Sequence, residues 1–299
     1  MIILYDLIAE CSDDKLLMTS LPTARLRGLL GQCIKVYSKT HNLKLYENFF
    51  KPRRGMVGRD IARKIPTPKP YIINPPTLLH RDTIQFRLTV FGHANQLMPH
   101  ILKAIKKEHG KLQLLEATII NDVTGEKWEI TDDEKRTQQH AITYQMLLQN
   151  TRQHIEDREN LDITLMFLTP VRLTRDGSDI KPNQLKPSDL IRFAARRLFL
   201  LDYLYYSAGR TLPFKLSPET VKKLTECADS TTNIETTLSE KILNLKQKTK
   251  TLTGKLKLKI QHKGEETLKA VFLLKACEYL GIGKHTAYGL GKYTLTYST

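Results

Sequence analysis

Glu266-Thr-Leu-Lys-Ala-Val-Phe-Leu-Leu-Lys-Ala-Cys-Glu-Tyr-Leu280, Gly281-Ile-Gly-Lys-His-Thr-Ala-Tyr-Gly-Leu-Gly291 and Lys292-Tyr-Thr-Leu-Thr-Tyr297 follow one another at the end of the chain. The first stretch has helical apolar spacing and the last alternates as a strand does. Between them lies a loop with four glycines, Gly281, Gly283, Gly289 and Gly291. Glycine serves where the backbone takes positive φ or where something lies directly against it. The loop is therefore either a forced turn or a place where a ligand meets main-chain N–H groups. A Walker-type loop is excluded, because Glu278 stands five residues before Gly283 and His285 follows Lys284. The dinucleotide fingerprint fails at Thr286, where its third glycine belongs. Both motifs also run from strand to helix, the reverse of the order here. Phosphate at the C-terminal end of a helix meets the wrong pole of its dipole, so Lys284, His285 and Lys292 would supply the positive charge.

Working outward, Leu243–Lys250 and Lys255–Gln261 read as a hairpin turned at Thr253-Gly254. Period-2 alternation puts Lys246, Lys248 and Lys250, with Lys255, Lys257 and Lys259, on one face, with no acid between them. Such a face suits a polyanion; it also suits an edge hairpin protected from aggregation by lysine. Pro187–Ser207 reads as a helix with Arg192, Arg196 and Arg197 one turn apart, and Leu161–Leu168 as a strand.

The first half has the same plan. Ile2–Ala9 is a buried strand, and Leu21–Val36 is an amphipathic helix with Pro22 in its first turn and Arg25 and Arg27 at its rim. Tyr37–Arg54 reads as a loop mixing basic and aromatic residues, as single-stranded nucleic acid requires: cations for phosphate, rings for stacking. Five prolines between Pro66 and Pro76 mark 51–80 as an irregular insertion. Thr83–Phe91, Leu112–Asn121 and Lys127–Thr131 read as strands, with a helix over Asn95–Lys107. The expected organisation is α+β, two tandem ferredoxin-like β-α-β-β-α-β units: 1–132, a connection over 133–160, and 161–299 with the glycine loop.

Forty-seven Lys and Arg against 31 Asp and Glu give a net charge of +16, the footprint of a protein that meets a polyanion. Cys11, Cys33, Cys227 and Cys277 are too scattered for a C-x-x-C metal site, and Asp13-Asp14 and Asp132-Asp133-Glu134 read as solvated or capping turns. No metal and no cofactor are expected. No apolar run reaches 18 residues and no basic stretch precedes the apolar start, so the expectation is a cytoplasmic protein with no membrane partner.

Four segments, in order along the chain, resemble the RAMP superfamily of CRISPR-associated proteins, and most closely its Cas-six endoribonucleases. They are Leu21–Gly31, Phe86–Gly92, Thr164–Gly177 and the glycine loop. The resemblance implies a metal-independent endoribonuclease that binds CRISPR repeat RNA and cuts precursor crRNA into guides, leaving a 5'-hydroxyl and a 2',3'-cyclic phosphate. Other Cas proteins of an effector complex are implied as partners. A non-catalytic RAMP subunit that holds crRNA would share the same features.

RNA carries its own nucleophile, the 2'-hydroxyl, so cleavage needs a base, a donor at the leaving 5'-oxygen, and cations around the phosphate. Histidine suits the proton transfers. The resemblance places the catalytic histidine just after the first helix, which selects His41, with Tyr37 and Lys44 beside it to orient the phosphate or protonate the leaving oxygen. His285 ranks second, as a phosphate contact, and His93 third. The residues expected to hold RNA are Gly281, Gly283, Lys284, His285, Gly289, Gly291 and Lys292, together with Arg25, Arg27, Arg192, Arg196, Arg197, Lys246, Lys248, Lys255, Lys257 and Lys259.

Overall fold

A computed structural model describes all residues except 53–66, 107–110, 131–138, 157, 207–210, 245–247, 262–263 and 299. Lys246 and the Asp132-Asp133-Glu134 cluster lie outside the described residues. Two compact units are present: Met1–Ile142 with Leu200–Arg210 and Ala287–Gly289, and Thr143–Phe199 with Thr211–Thr286 and Leu290–Thr299.

In unit 1, β1 (Ile2–Cys11) leads into α1 (Pro22–Thr40) and the short α2 (Leu45–Phe50). Then come β2 (Tyr71–Ile73), β3 (Thr77–His80), β4 (Thr83–Phe91), α3 (Met98–Lys106), β5 (Leu112–Asn121) and β6 (Glu126–Glu129). The sheet runs β2-β4-β1-β5-β6 with β3 also on β4, and its ladders are antiparallel. The first strand thus lies between the third and the fourth, with the second at the edge, which is the ferredoxin-like arrangement. Burial follows the pleat: Ile3, Tyr5 and Leu7 face Leu26, Leu30, Cys33 and Ile34 of α1 and Ile101 and Ile105 of α3 in one core. Each fully buried aliphatic or aromatic side chain contributes about 1.5–3 kcal/mol.

Two expectations change here. The segment over 51–80 is not wholly irregular, since β2 and β3 supply the split second strand. Pro68, Pro70, Pro75 and Pro76 precede these pieces or sit between them, where an edge strand tolerates a missing N–H. Asp13 is not a solvated turn residue: its side chain is only 4% exposed and pairs with Arg25 (2.6 Å).

Unit 2 repeats the order. It begins with α4 (Tyr144–Ile155), a helix inside the expected connection, and β7 (Asn160–Phe167). The small hairpin β8 (Thr174–Arg175) and β9 (Ser178–Asp179) precedes α5 (Pro187–Tyr205), and α6 (Pro218–Thr231) and β10 (Thr232–Thr236) occupy a stretch for which the sequence suggested no element. Next are β11 (Ser239–Asn244), β12 (Lys248–Thr253), β13 (Lys255–Gln261), α7 (Glu265–Leu280) and β14 (Tyr293–Ser298). The sheet order is β10-β13-β7-β14, the same topology as in unit 1. Helix α7 is buried on almost every side, including Leu268, Val271, Phe272, Leu273 and Leu274, because α4, α6 and the sheet all pack against it.

The lysine hairpin is corrected. β12 pairs with β11, while β13 pairs with β7 and β10, so the two lysine-bearing strands belong to different sheets. Acids reach their lysines from neighbouring strands: Lys257 meets Asp162 (2.5 Å), Lys259 meets Glu235 (2.5 Å) and Lys250 meets Glu240 (3.3 Å). An unbroken six-lysine face does not form.

Candidate nucleic-acid interface

α1 runs one turn further than its apolar pattern suggests, so Tyr37 is helical and His41 is the C-cap residue. The His41 N–H donates to the Tyr37 carbonyl (3.0 Å), and the two rings lie 4.2 Å apart at 44°. Ser38, buried at the bend, fixes the elbow. Its hydroxyl donates to the Ile34 carbonyl (2.6 Å) and accepts from the Tyr46 N–H (3.1 Å), and its carbonyl accepts from the Leu43 N–H (2.8 Å). Asn42 turns the chain with φ of 50°, a left-handed conformation asparagine tolerates. Lys44 is the N-cap residue of α2, and its carbonyl accepts from the Asn48 N–H (3.0 Å). His41 and Lys44 are exposed, whereas Tyr37 is buried. The described part of the expected loop, 37–52, is therefore a helix–elbow–helix, with Phe49 and Phe50 in the core. Tyr37 sets the histidine ring rather than meeting solvent.

α2 turns its rings toward α1. Arg27 donates from Nε to the Tyr71 hydroxyl (2.9 Å), and its guanidinium lies 5.3 Å from the centre of the Phe50 ring and 4.9 Å from that of Tyr288. Burial pushes the Tyr71 phenol up to about 12, so it stays protonated beside that cation. Arg25, bidentate on Asp13 at 2.6 and 2.7 Å, is already engaged.

The glycine loop is a forced turn. A Cβ on Gly291 would lie 1.8 Å from the Ile282 carbonyl oxygen, and one on Gly283 would lie 2.5 Å from that of Arg172. Both have positive φ, 74° and 86°. The tip at Gly289 packs on Thr23 of α1 within unit 1. Loop amides serve the protein: Gly281 N–H donates to Cys277, Ile282 to Gly291, Lys284 to Arg172 and Gly291 to Pro170, at 2.7–2.9 Å. The glycines are thus explained by the turn, and these amides do not face a ligand.

Two of the expected cations point inward. Lys292 is buried, its ammonium donating to the Glu278 carbonyl. Arg197 is buried as well and donates from Nε to the Leu280 carbonyl (3.0 Å), serving the exposed carbonyl end of α7. Arg192 and Arg196, on the other side of α5, are exposed, as are Lys284 and His285. His285 takes φ of 62° and sets Nε2 3.2 Å from Arg172 Nη1. Partial desolvation, then the charges of Arg172 and Lys284, hold its imidazole below the ordinary histidine range. It is a neutral partner of Arg172, not a cation. Arg172, to which the sequence assigned no role, is the centre of this group and also pairs with Asp179 (2.8 Å).

Among the described residues no cluster of three or more His, Cys, Asp or Glu side chains could hold a metal ion, and no helix is long and apolar enough to cross a membrane.

The family model for CRISPR-associated endoribonuclease Cas6 matches residues 165–293, and a model described as an N-terminal domain matches 2–160. The Cas6 match covers the greater part of unit 2. Among solved structures, Thermus thermophilus Cas6 is 16% identical with a TM-score of 0.60, the match covering 99% of this chain and 98% of that one. A second Cas6, solved as a product complex, is 15% identical with a TM-score of 0.53 over 100% and 99% of the two chains. A partial Cas6-RT-Cas1–Cas2 complex is 16% identical with a TM-score of 0.61, covering 99% of this chain and 46% of that larger one. No curated protein matches in sequence. At these identities the likeness establishes the fold, two ferredoxin-like units, which the strand orders show independently.

Proposed function

We propose that this chain is a Cas6-type endoribonuclease that binds CRISPR repeat RNA and cuts the precursor by attack of the 2'-hydroxyl on the adjacent phosphate, without a metal ion. The observation that carries this reading is the elbow after α1. An exposed histidine is held there against a buried tyrosine ring, three residues before an exposed lysine. His41 takes the 2'-hydroxyl proton, the new P–O2' bond closes the cyclic phosphate, and the P–O5' bond breaks. The Lys44 ammonium donates the proton that the leaving 5'-oxygen needs. Tyr37 is a positioning residue. The RNA supplies the nucleophile, so the residues have only to move protons and hold charge; each positioned proton transfer is worth about 10²–10⁴-fold.

Lys284, Arg192 and Arg196 are proposed phosphate contacts. Relatives are solved as a product complex and in a Cas6-RT-Cas1–Cas2 complex. Repeat RNA and other Cas proteins are accordingly the proposed partners of this chain, in the cytoplasm.

The test is a repeat transcript incubated with the protein in EDTA, alongside the same transcript carrying one 2'-deoxy sugar before the cut. Cutting of the first alone, giving a 2',3'-cyclic phosphate, is expected. Cutting of the deoxy transcript, or a requirement for added metal, contradicts the mechanism. Binding of the repeat with no cutting under any condition would instead assign the chain to crRNA retention.

A further inference from the structure

Two cations of unit 1, Arg27 and Lys51, are set against rings rather than acids, and a third, Lys69, lies near both. Arg27 lies between Phe50 and Tyr288, 5.3 and 4.9 Å from the two ring centres. Lys51, exposed at the end of α2, has its ammonium 5.5 Å from the centre of the Tyr46 ring, which stacks on Phe50 at 5.4 Å and 9°. The stack lies over Gly31 of α1, whose Cβ position is at van der Waals distance from Tyr46 and Phe50, 3.6 and 3.7 Å.

The third cation, half-buried Lys69, is presented by a pinned backbone. The Pro68 carbonyl accepts from the Tyr205 hydroxyl (2.7 Å), and the Pro70 carbonyl accepts from the Phe91 N–H (2.9 Å). Burial, then the like charges of Arg27 and Lys51, hold the Lys69 ammonium below the ordinary lysine range, and among the described residues no carboxylate offsets them. A pinned lysine facing two other cations is unfavourable in the isolated protein and becomes favourable when an anion arrives. Tyr288, at the tip of the glycine loop, has Arg27 near its ring and remains 36% exposed, leaving ring surface open to solvent.

Cations for phosphate beside an exposed ring are what a single strand needs and what a duplex, with its bases stacked internally, does not use. We infer that Arg27, Lys51, Lys69 and Tyr288 form a subsite for one unpaired nucleotide of the RNA, its base stacked on Tyr288 and its phosphate held by Lys51 and Lys69. This rests on the proposed function for the identity of the RNA, and it adds where an unpaired segment lies. None of these four residues belongs to the His41 elbow.

The experiment measures anisotropy of a labelled 12-residue oligouridylate, and of the repeat transcript, across a salt series. Lys51→Gln with Lys69→Gln is expected to lower the slope of log affinity against log salt by about 0.7 for each phosphate that is no longer neutralised. Tyr288→Leu is expected to weaken oligouridylate binding about tenfold with the slope unchanged, and Tyr288→Trp to retain or strengthen it. The Trp variant and thermal unfolding of each protein separate a loss of stacking from a failure to fold. Unchanged slope and affinity in the folded variants, while the wild type still cuts the repeat, would overturn the subsite and leave the proposed function standing. A wild type that binds oligouridylate through these residues but neither prefers nor cuts the repeat would do the reverse.

Discussion

The two units share one strand order and differ in where their positive charge goes. In unit 2 three strand lysines are answered from neighbouring strands: Lys257 by Asp162, Lys259 by Glu235, Lys250 by Glu240. Arg172 and Arg175 likewise meet Asp179 and Asp189. In unit 1, Arg27 and Lys51 lie against rings, and half-buried Lys69 lies near the like charges of both. A net charge of +16 is therefore a poor guide to where a polyanion lands. What matters is which cations lack a carboxylate, and that depends on pairing between strands far apart in sequence.

The units also place their elaborations differently. Unit 1 extends its first helix into an elbow that presents His41. Unit 2 extends the end of its last helix into a turn that only glycine can make. The largest effect expected from either is chemical: His41→Ala should lower the single-turnover rate by at least about 10²-fold while repeat RNA stays bound. Full cutting by that variant would move the chemistry away from unit 1. Next is Gly291→Ala, where a Cβ would lie 1.8 Å from a carbonyl oxygen at φ of 74°. It should cost about 3 kcal/mol or more in denaturant unfolding, since left-handed strain alone is about 1–3 kcal/mol. A change under about 1 kcal/mol would mean that the loop has another shape.

Smaller effects sharpen the charge contrast. Lys284→Gln should reduce the salt slope of RNA binding by about 0.7. His285→Gln should leave that slope alone, because the wild-type imidazole is neutral near pH 7. Its folded pKa is lowered from 6.5. The unfolded chain therefore takes up a proton first, and stability falls as the pH drops from about 6.5 toward the lowered folded value. His285→Gln should remove that part of the acid limb, read as the unfolding midpoint between about pH 7 and 5. Smallest of all, Lys257→Gln should change RNA affinity by less than about threefold, because its charge is already met by Asp162. A larger drop in affinity, with a reduced salt slope, would mean that the paired face of unit 2 also binds RNA.

The sequence was informative where structure is local. The apolar stripe of α1, the helix α7 and the alternating strands β4, β5, β7 and β14 were legible, because each buries one regular set of side chains. The tail of α1 was missed because Tyr37-Ser-Lys-Thr carries mixed polarity; the bend is closed by Ser38, whose two hydrogen bonds leave no periodic trace. β3 was hidden because all four of its residues are exposed, so no alternation exists to be read. The lysine strands were read correctly as strands and wrongly as partners. The Thr253-Gly254 turn is real punctuation, yet the acids and the pairing come from Asp162 and Glu235, many residues away. Lys69 gave no signal, since nothing within a proline-rich stretch shows that Tyr205 will hold it in place.

Lysine acetylation of the protein, with and without repeat RNA and read by mass spectrometry, tests the contrast between the units most directly. Protection of Lys51 and Lys69, with Lys257 and Lys259 modified equally in both states, is the predicted result. Protection of Lys257 and Lys259 with Lys51 and Lys69 unaffected would contradict it.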